Sequence, residues 1–209
     1  MTSTPISSRL IQSLLDIRPL AAIAKHQARQ MIIKRAEALG IPWRQDVERL
    51  RSHVPQWEAD LAEVRDPNIT YPAYYCQSFH AYDEGNLGWT PAIEVEVAAQ
   101  AVHARLWPEE GSNGDVRLRQ QYHQVLQTHL PQAPHLSVDL GCSAGASTVA
   151  LQQAFPDSHA IGIDLSPYFL VVARHQFGQN PNVSWRHGAS EATGLDDDSV
   201  DLVSACLMF

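Results

Sequence analysis

The chain has 209 residues, of which 15 are Lys or Arg and 23 are Asp or Glu, and 44% of its residues are hydrophobic. This length fits one large domain or two small ones, and the hydrophobic fraction excludes a chain that is disordered throughout. The formal net charge of -8 argues against a general nucleic-acid-binding protein, which needs basic surface to displace counterions from phosphates.

The three cysteines, Cys76, Cys142 and Cys206, are far apart in the sequence and form no CxxC pair. This spacing disfavours a disulfide framework or structural zinc and fits a reducing compartment such as the cytoplasm. No apolar run approaches the roughly 18 residues of a membrane span. The first 35 residues are rich in Ser, Thr and Arg, as in a plastid transit peptide, although a first helix of the mature protein explains them better.

Residues 1–130 are predicted to form an all-helical domain, because apolar residues recur there every three to four positions. Gly40 and Pro42 are stop signals after the first predicted helix. We expect Pro55 to separate the second and third helices, Thr90 to cap the fourth, and Asp115 to cap the fifth. The predicted helices cover residues 24–39, 43–52, 56–65, a stretch from 90 towards the polar loop 109–114, and 115–130.

Residues 71–89 are rich in aromatic side chains and show no clean helix or strand period, which indicates an ordered, irregular segment. Two interpretations stay open. The segment folds over a ligand crevice as a lid and lines an acceptor pocket, or its aromatic residues pack the helical domain against the sheet. His80 is the candidate general base in this segment, although a hydrogen-bonded structural histidine is the commoner role.

After residue 130 the periodicity changes to strands alternating with helices, which is typical of a parallel α/β sheet with right-handed crossovers. Ser166 is the expected N-cap of the second of these helices, with Pro167 at its first position. The chain ends within an apolar strand that should be buried on both faces, so we expect residues 131–209 to be part of a longer domain. The predicted strands are 135–140, 160–165, 182–187 and 200–208, and the predicted helices are 146–155 and 167–177.

The clearest functional signal is Val138-Asp-Leu-Gly-Cys-Ser-Ala-Gly-Ala-Ser-Thr148, at a predicted strand-to-helix junction. Gly141 and Gly145 allow a tight turn and a close approach of the backbone to a ligand, and the free N–H groups of the following helix point to the same place. Asp164 ends the next strand, where a carboxylate can bind both hydroxyls of a ribose. These features together predict a nucleoside site.

This turn departs from the dinucleotide pattern G-x-G-x-x-G/A, because Ser143 stands where the second glycine lets a pyrophosphate approach. Asp139, two residues before Gly141, would repel a pyrophosphate and attract an ammonium group. Both residues count against a nicotinamide-dependent oxidoreductase. The pattern D-x-G-x-S-x-G instead resembles the first motif, D/E-x-G-x-G-x-G, of the class I S-adenosylmethionine-dependent methyltransferases.

The resemblance extends over residues 137–209. Gly162-Ile-Asp-Leu-Ser-Pro167 is similar to the second-strand motif of that family. His187-Gly-Ala-Ser-Glu-Ala192 and Leu195-Asp-Asp-Asp-Ser-Val-Asp-Leu-Val203 resemble motifs of the methyltransferases of ubiquinone and menaquinone biosynthesis. Residues 71–89 also resemble a signature of a cyanobacterial and plastid branch of these enzymes. The resemblance implies a Rossmann-like parallel sheet, with strands 1–4 present in the order 3-2-1-4.

The resemblance also implies roles for individual residues. Ala189 stands where the family has an acid that pairs with the adenine amino group, so Ser190 and backbone groups would have to supply that contact. The residues implied in cofactor binding are Asp139, Gly141, Ser143 and Gly145 at the methionine moiety, Asp164 at the ribose, Leu165, Ala189 and Ser190 at the adenine, and Cys206 near the transferable methyl group.

The resemblance therefore predicts an enzyme that transfers a methyl group from S-adenosyl-L-methionine to a small-molecule acceptor and releases S-adenosyl-L-homocysteine. This chemistry needs no metal, and none is predicted. Two alternatives stay open: a non-catalytic scaffold that keeps the fold and binds a partner, which Ala189 and the short sheet favour, and an NAD(P)-dependent oxidoreductase.

Overall fold

A computed structural model describes residues 18–78 and 82–206, with side chains described from His26 onward. His80, the candidate general base, lies outside the described residues, as does the end of the predicted fourth strand. The described helices are α1 (Arg18–Ala38), α2 (Trp43–Arg51), α3 (Val54–Val64), α4 (Trp89–His103), α5 (Asn113–His129), α6 (Ala146–Ala154) and α7 (Pro167–Phe177). The described strands are β1 (Leu136–Leu140), β2 (His159–Asp164), β3 (Val183–His187) and β4 (Leu202–Ser204).

The strands in the described part of the chain form one parallel sheet in the order β3-β2-β1-β4. β1 pairs with both β2 and β4, and β2 pairs with β3. The chain crosses from β1 to β2 through α6 and from β2 to β3 through α7. This arrangement confirms the predicted Rossmann-like fold and its strand order. Because the strands are parallel, Leu140, Asp164, His187 and Ser204 end them at one side of the sheet, which we call the carboxyl edge.

The prolines near the starts of α3 and α4 lie inside the first helical turn. The sequence predicts Pro55 between two helices, whereas α3 begins at Val54 and includes it. The sequence predicts Thr90 as a cap, whereas α4 begins at Trp89 and its N-cap is Gly88. Both predictions were wrong for one reason. The first four N–H groups of a helix have no partner within it, so proline fits at several positions of the first turn.

Side-chain caps are predicted for two further helices, and the structure confirms one of them. The Ser166 hydroxyl accepts a hydrogen bond from the Phe169 N–H at 3.5 Å, at the start of α7. The predicted Asp115 cap was wrong, because α5 begins at Asn113. The Asp115 carboxylate lies 2.5 Å from Nδ1 of His103 on α4 instead. A buried partner on the neighbouring helix thus takes the carboxylate away from the N–H groups of its own helix.

The N-terminal helices pack directly against the sheet part of the chain. α7 contacts α3 and α4, and a second group of apolar residues joins α5 to α6 and β4. The predicted domain boundary near residue 130 falls between α5 and β1. None of the described helices is long and apolar enough to cross a membrane. The larger shared cluster includes Trp43, Trp57, Ile93, Val97, Phe169 and Val172.

Candidate functional site

The glycine turn, residues Gly141–Gly145, connects β1 to α6 at the carboxyl edge. The N–H groups of Gly141 and Cys142 both donate to the Ile163 carbonyl of β2, at 2.8 and 3.1 Å. Gly141 and Gly145 have φ angles of 66° and 96°, in the left-handed region that glycine adopts at no steric cost. The turn is therefore fixed against β2 in a shape that depends on its two glycines.

Ser143, in the middle of the glycine turn, is also left-handed, with a φ of 53°. A residue with a side chain pays about 1–2 kcal/mol for this conformation. The Ser143 N–H donates to the Asp164 carboxylate at 2.8 Å, and this bond helps to hold the conformation. The Ser143 hydroxyl oxygen is buried and has no hydrogen-bond partner among the described residues. Ser143 thus holds a left-handed backbone conformation that glycine would adopt at this position without the cost.

The space beside Gly145 is filled by the Trp185 side chain of β3. A Cβ on Gly145 would lie 2.6 Å from the Trp185 ring and 2.9 Å from the Cβ of Ala173. A Cβ on Gly162 of β2 would meet the same ring at 2.7 Å. Packing of β3 against the glycine turn is therefore one reason for glycine at both positions, separate from any approach to a ligand.

Asp139, in β1, lies beneath the first turn of α6. The residue is 1% exposed, and its carboxylate accepts hydrogen bonds from the Ser147 hydroxyl at 2.6 Å and the Thr148 hydroxyl at 2.8 Å. Burial raises the pKa of Asp139 above its ordinary value, although these two hydrogen bonds oppose the shift. The predicted ammonium-binding carboxylate is thus present and held rigidly against the helix that follows the glycine turn.

Asp164, at the end of β2, joins two turns of the backbone. Its carboxylate accepts the N–H of Ser143 and the N–H of Ser166, each at 2.8 Å. The residue is 7% exposed, and burial raises the pKa of Asp164 to about 6, against the lowering effect of the two N–H groups. Asp164 therefore links the glycine turn to the start of α7, at the position predicted for ribose binding.

The aromatic segment passes over the carboxyl edge. The Tyr75 hydroxyl donates to the Asp164 carboxylate at 3.5 Å, and the Ser166 hydroxyl donates to the Asn86 carbonyl at 2.6 Å. The end of the segment also packs inward, because the Trp89 ring contacts the rings of Trp57 and Tyr168. The aromatic segment therefore both covers the strand ends and packs against the helices, so features of both interpretations of this segment are present.

His187, the last residue of β3, ties the segment before residue 71 to the sheet. Its Nδ1 accepts the Asp66 N–H at 2.9 Å, and its Nε2 donates to the Leu165 carbonyl at 3.1 Å. The Tyr71 hydroxyl lies 3.3 Å from the same Nε2. Burial lowers the pKa of His187. The ring is therefore neutral, with its proton on Nε2, and it fixes the chain that leads into the aromatic segment.

The remaining predicted residues lie next to the strand ends. Leu165 follows β2 and is 9% exposed. Ala189 and Ser190 follow β3, where Ala189 forms an isolated bridge with Ala192. Cys206 follows β4, and burial raises the pKa of its thiol. The structure thus brings every predicted cofactor residue to the carboxyl edge.

Two residues beside this edge were missed from the sequence: Glu96 of α4 and Arg119 of α5. The Ala146 N–H, the first of α6, donates to the Glu96 carboxylate at 3.4 Å. Arg119 lies 3.9 Å from the other oxygen of Glu96 and donates to Asp115 at 3.0 Å. The sequence signal was Ile-Glu-Val-Glu-Val at 93–97, where two acids interrupt an apolar helix.

Comparison with known proteins identifies the matched part of the chain. A family model described as a methyltransferase domain matches residues 138–209, which begin in β1 and include the glycine turn and Asp164. Residues 138–209 therefore match a methyltransferase domain. This confirms the family predicted from the D-x-G-x-S-x-G pattern.

Named relatives match about a third of this chain and a smaller share of their own length. Trans-aconitate 2-methyltransferase of Methylobacterium radiotolerans is 38% identical over 35% of this chain and 27% of that protein. The protein of the same name from Deinococcus radiodurans is 37% identical over 32% of this chain and 30% of its own length. Arsenite methyltransferase of Halobacterium salinarum is 36% identical over 34% of this chain and 19% of its own length. The chain therefore spans less than a third of each relative.

Proposed function

We propose that this protein is an S-adenosylmethionine-dependent methyltransferase that acts on a small-molecule acceptor. The observation that carries the proposal is the hydrogen bond between the Ser143 N–H and the Asp164 carboxylate, within the matched domain. It places a strand-end carboxylate directly beside a glycine turn and the N-terminus of α6. This arrangement suits a nucleoside that carries a charged extension on its ribose.

Each strand end would contact a different part of the cofactor. Asp164 would exchange its present N–H and Tyr75 contacts in part for the ribose hydroxyls, and Leu165 would pack on the adenine. Asp139 would attract the amino group of the methionine moiety through its negative charge. Cys206 would lie near the methyl group, and Ala189 would give the adenine an apolar neighbour. These assignments are the ones that the family resemblance implies, and each of these residues lies at or beside the carboxyl edge.

The chemistry of such an enzyme depends on positioning. Bound S-adenosylmethionine supplies a methyl group on a positively charged sulfur, which an acceptor atom can attack directly. The protein holds the acceptor in line with that methyl group and keeps water away. Positioning alone contributes roughly 7–11 kcal/mol of barrier lowering in favourable systems. The Tyr71 hydroxyl lies beside His187, and the Tyr75 hydroxyl donates to Asp164. The two aromatic rings are therefore suited to excluding water from this edge.

The names of the relatives support an acceptor of low molecular mass. Two are named for trans-aconitate and one for arsenite, and both are small molecules. The residues that match the methyltransferase model include the glycine turn and the ends of all four strands, which bind the cofactor in this proposal. The acceptor proposed for this protein is therefore a small molecule, and the class includes both organic and inorganic acceptors.

A thermal melt of the protein with S-adenosylhomocysteine, with NAD and without ligand tests this function. A ligand present at 100 times its Kd stabilises the folded state by about 2.7 kcal/mol, which for a chain of this size raises Tm by roughly 5–10 °C. We expect this shift with S-adenosylhomocysteine and none with NAD at the same concentration. A shift with NAD alone would instead assign the site to a dinucleotide and overturn the proposal.

A further inference from the structure

Glu96 places a carboxylate from the helical part of the chain at the N-terminus of α6. Its side chain is 19% exposed, and one oxygen accepts the Ala146 N–H at 3.4 Å. Ala146 directly follows Gly145, the last residue of the glycine turn. A helix N-terminus attracts negative charge, and here the protein fills that position with its own carboxylate.

Arg119 of α5 lies beside Glu96. The guanidinium lies 3.9 Å from Glu96, and its Nε donates to Asp115 at 3.0 Å. The charge of Arg119 also stabilises the ionised form of Asp139. Glu96 and Asp115 lie against Arg119, and Asp139 is within reach of its charge, so three carboxylates stand against one arginine beside the glycine turn.

The first turn of α6 thus carries two carboxylates, each already bonded to it. Asp139 accepts the hydroxyls of Ser147 and Thr148, and Glu96 accepts the Ala146 N–H. A phosphate at this helix N-terminus would be repelled by both carboxylates and would have to displace Glu96. A primary ammonium group would be attracted by both and has three N–H bonds to donate.

We propose that Glu96 binds the ammonium group of the methionine moiety together with Asp139 and selects the cofactor against phosphate-bearing nucleotides. This inference rests on the proposed function, because it assigns the amino-acid end of the same cofactor. It makes the helical part of the chain a contributor to the cofactor site. Arg119 is then a positioning residue that keeps the Glu96 carboxylate directed at α6.

Two ligands that differ only at the amino-acid end test the role of Glu96. S-adenosylhomocysteine carries an amino-acid end with an ammonium and a carboxylate group, whereas 5′-methylthioadenosine has the same nucleoside and sulfur without either. Because removal of the Glu96 charge would favour the carboxylate and disfavour the ammonium group, a loss of affinity identifies the ammonium group as the partner of Glu96. Titration calorimetry on Glu96→Gln should show an affinity for S-adenosylhomocysteine reduced about 10-fold or more, the size of one lost charged hydrogen bond. The affinity for 5′-methylthioadenosine should stay within about 2-fold of the value for the unaltered protein, because the substitution removes no contact to the nucleoside.

Glu94→Gln is the matched control, because Glu94 lies on the same helix and is fully buried. It bonds to Arg29 and to the Tyr82 hydroxyl, so its loss should lower stability without separating the two ligands. Glu96→Asp keeps the negative charge beside Arg119 but moves the carboxylate away from α6. Its affinity for S-adenosylhomocysteine should fall while its affinity for 5′-methylthioadenosine is kept, so this variant tests the role of Glu96 even if Glu96→Gln does not fold. Equal changes for both ligands in the Glu96 variants, or no change, would overturn the assignment. If the unaltered protein binds neither ligand, the proposed function itself fails.

Discussion

The backbone N–H of Ser143 donates to the side chain of Asp164 across two neighbouring strands, at 2.8 Å. The same carboxylate accepts the N–H of Ser166, which begins the next helix. One buried side chain therefore fixes both loops that follow β1 and β2. The carboxylate that is predicted to bind the cofactor's ribose is also the one that shapes the site around it.

The buried carboxylate of Asp164 should make stability depend on pH. Burial raises the pKa of Asp164 to about 6 in the folded state, so the folded state binds this proton more tightly than the unfolded chain does. The free energy of unfolding should then rise as pH falls from 7 to 4, relative to Asp164→Asn, by on the order of 2 kcal/mol. Urea unfolding of both proteins at several pH values measures this difference. Parallel pH profiles would show that Asp164 titrates normally.

Replacing Ser143 by glycine should stabilise the protein. Ser143 has a φ of 53°, and glycine reaches this conformation without the cost of a side chain. The gain of about 1–2 kcal/mol is offset in part by the greater freedom of glycine in the unfolded chain, so the net gain is about 0.5–1 kcal/mol.

Ser112→Gly is the control for this change, because Ser112 has a φ of -60° and makes no side-chain cap bond. Its replacement should lower the free energy of unfolding by about 0.5–1 kcal/mol, through the unfolded chain alone. Denaturant melts of the two variants should therefore change in opposite directions. A loss of stability in Ser143→Gly would mean that the serine side chain makes a favourable contact.

Alanine substitutions at two glycines with left-handed backbones can distinguish the cost of backbone strain from the cost of a steric clash. Gly40 has a φ of 81° and open space where a Cβ would lie. Gly145 has a φ of 96°, and a Cβ there would lie 2.6 Å from the Trp185 ring. Gly40→Ala should cost about 1–2 kcal/mol from the backbone alone. Gly145→Ala should cost a further 1–3 kcal/mol, roughly, because the ring and the turn must move apart. Equal losses in urea melts would exclude the Trp185 contact as a determinant of stability.

The ion pairs of α5 offer a test of burial. Asp115 is 7% exposed and bonds to both His103 and Arg119, so Asp115→Ala should lower the free energy of unfolding by about 3–5 kcal/mol through the unpaired arginine. Glu110 pairs with Arg117 near the surface, and Glu110→Ala should cost less than about 1 kcal/mol. Chemical denaturation of both variants makes the comparison. Similar small losses would show that Arg119 finds another partner when Asp115 is removed.

The sequence predicts the sheet well because its signals are local. Alternation of strands and helices predicted the parallel sheet, the family resemblance implied its strand order, and Ser166 with Pro167 predicted the start of α7. The positions of Asp139 and Asp164 at strand ends follow from motif spacing. Each of these predictions needs contacts between residues close in the sequence or the regular geometry of a parallel sheet.

The contacts that the sequence could not predict join distant parts of the chain. Glu96 meets Ala146 across 50 positions, and Asp115 meets His103 instead of capping its own helix. The Trp185 ring beside Gly145 is likewise visible only when β3 is placed next to β2. Each of these contacts depends on how the helices and strands pack together, and a local sequence pattern carries no information about that packing.

The most direct test of the cofactor site is titration calorimetry of S-adenosylhomocysteine into the unaltered protein and into Asp164→Ala. We expect binding to the unaltered protein and an affinity lowered about 10-fold or more in the variant, since charge-assisted bonds to the ribose are worth about 1.5–3 kcal/mol. A thermal melt of Asp164→Ala confirms that the variant is folded at the temperature of the titration. Equal affinities in the two proteins would remove Asp164 from the site and contradict the account.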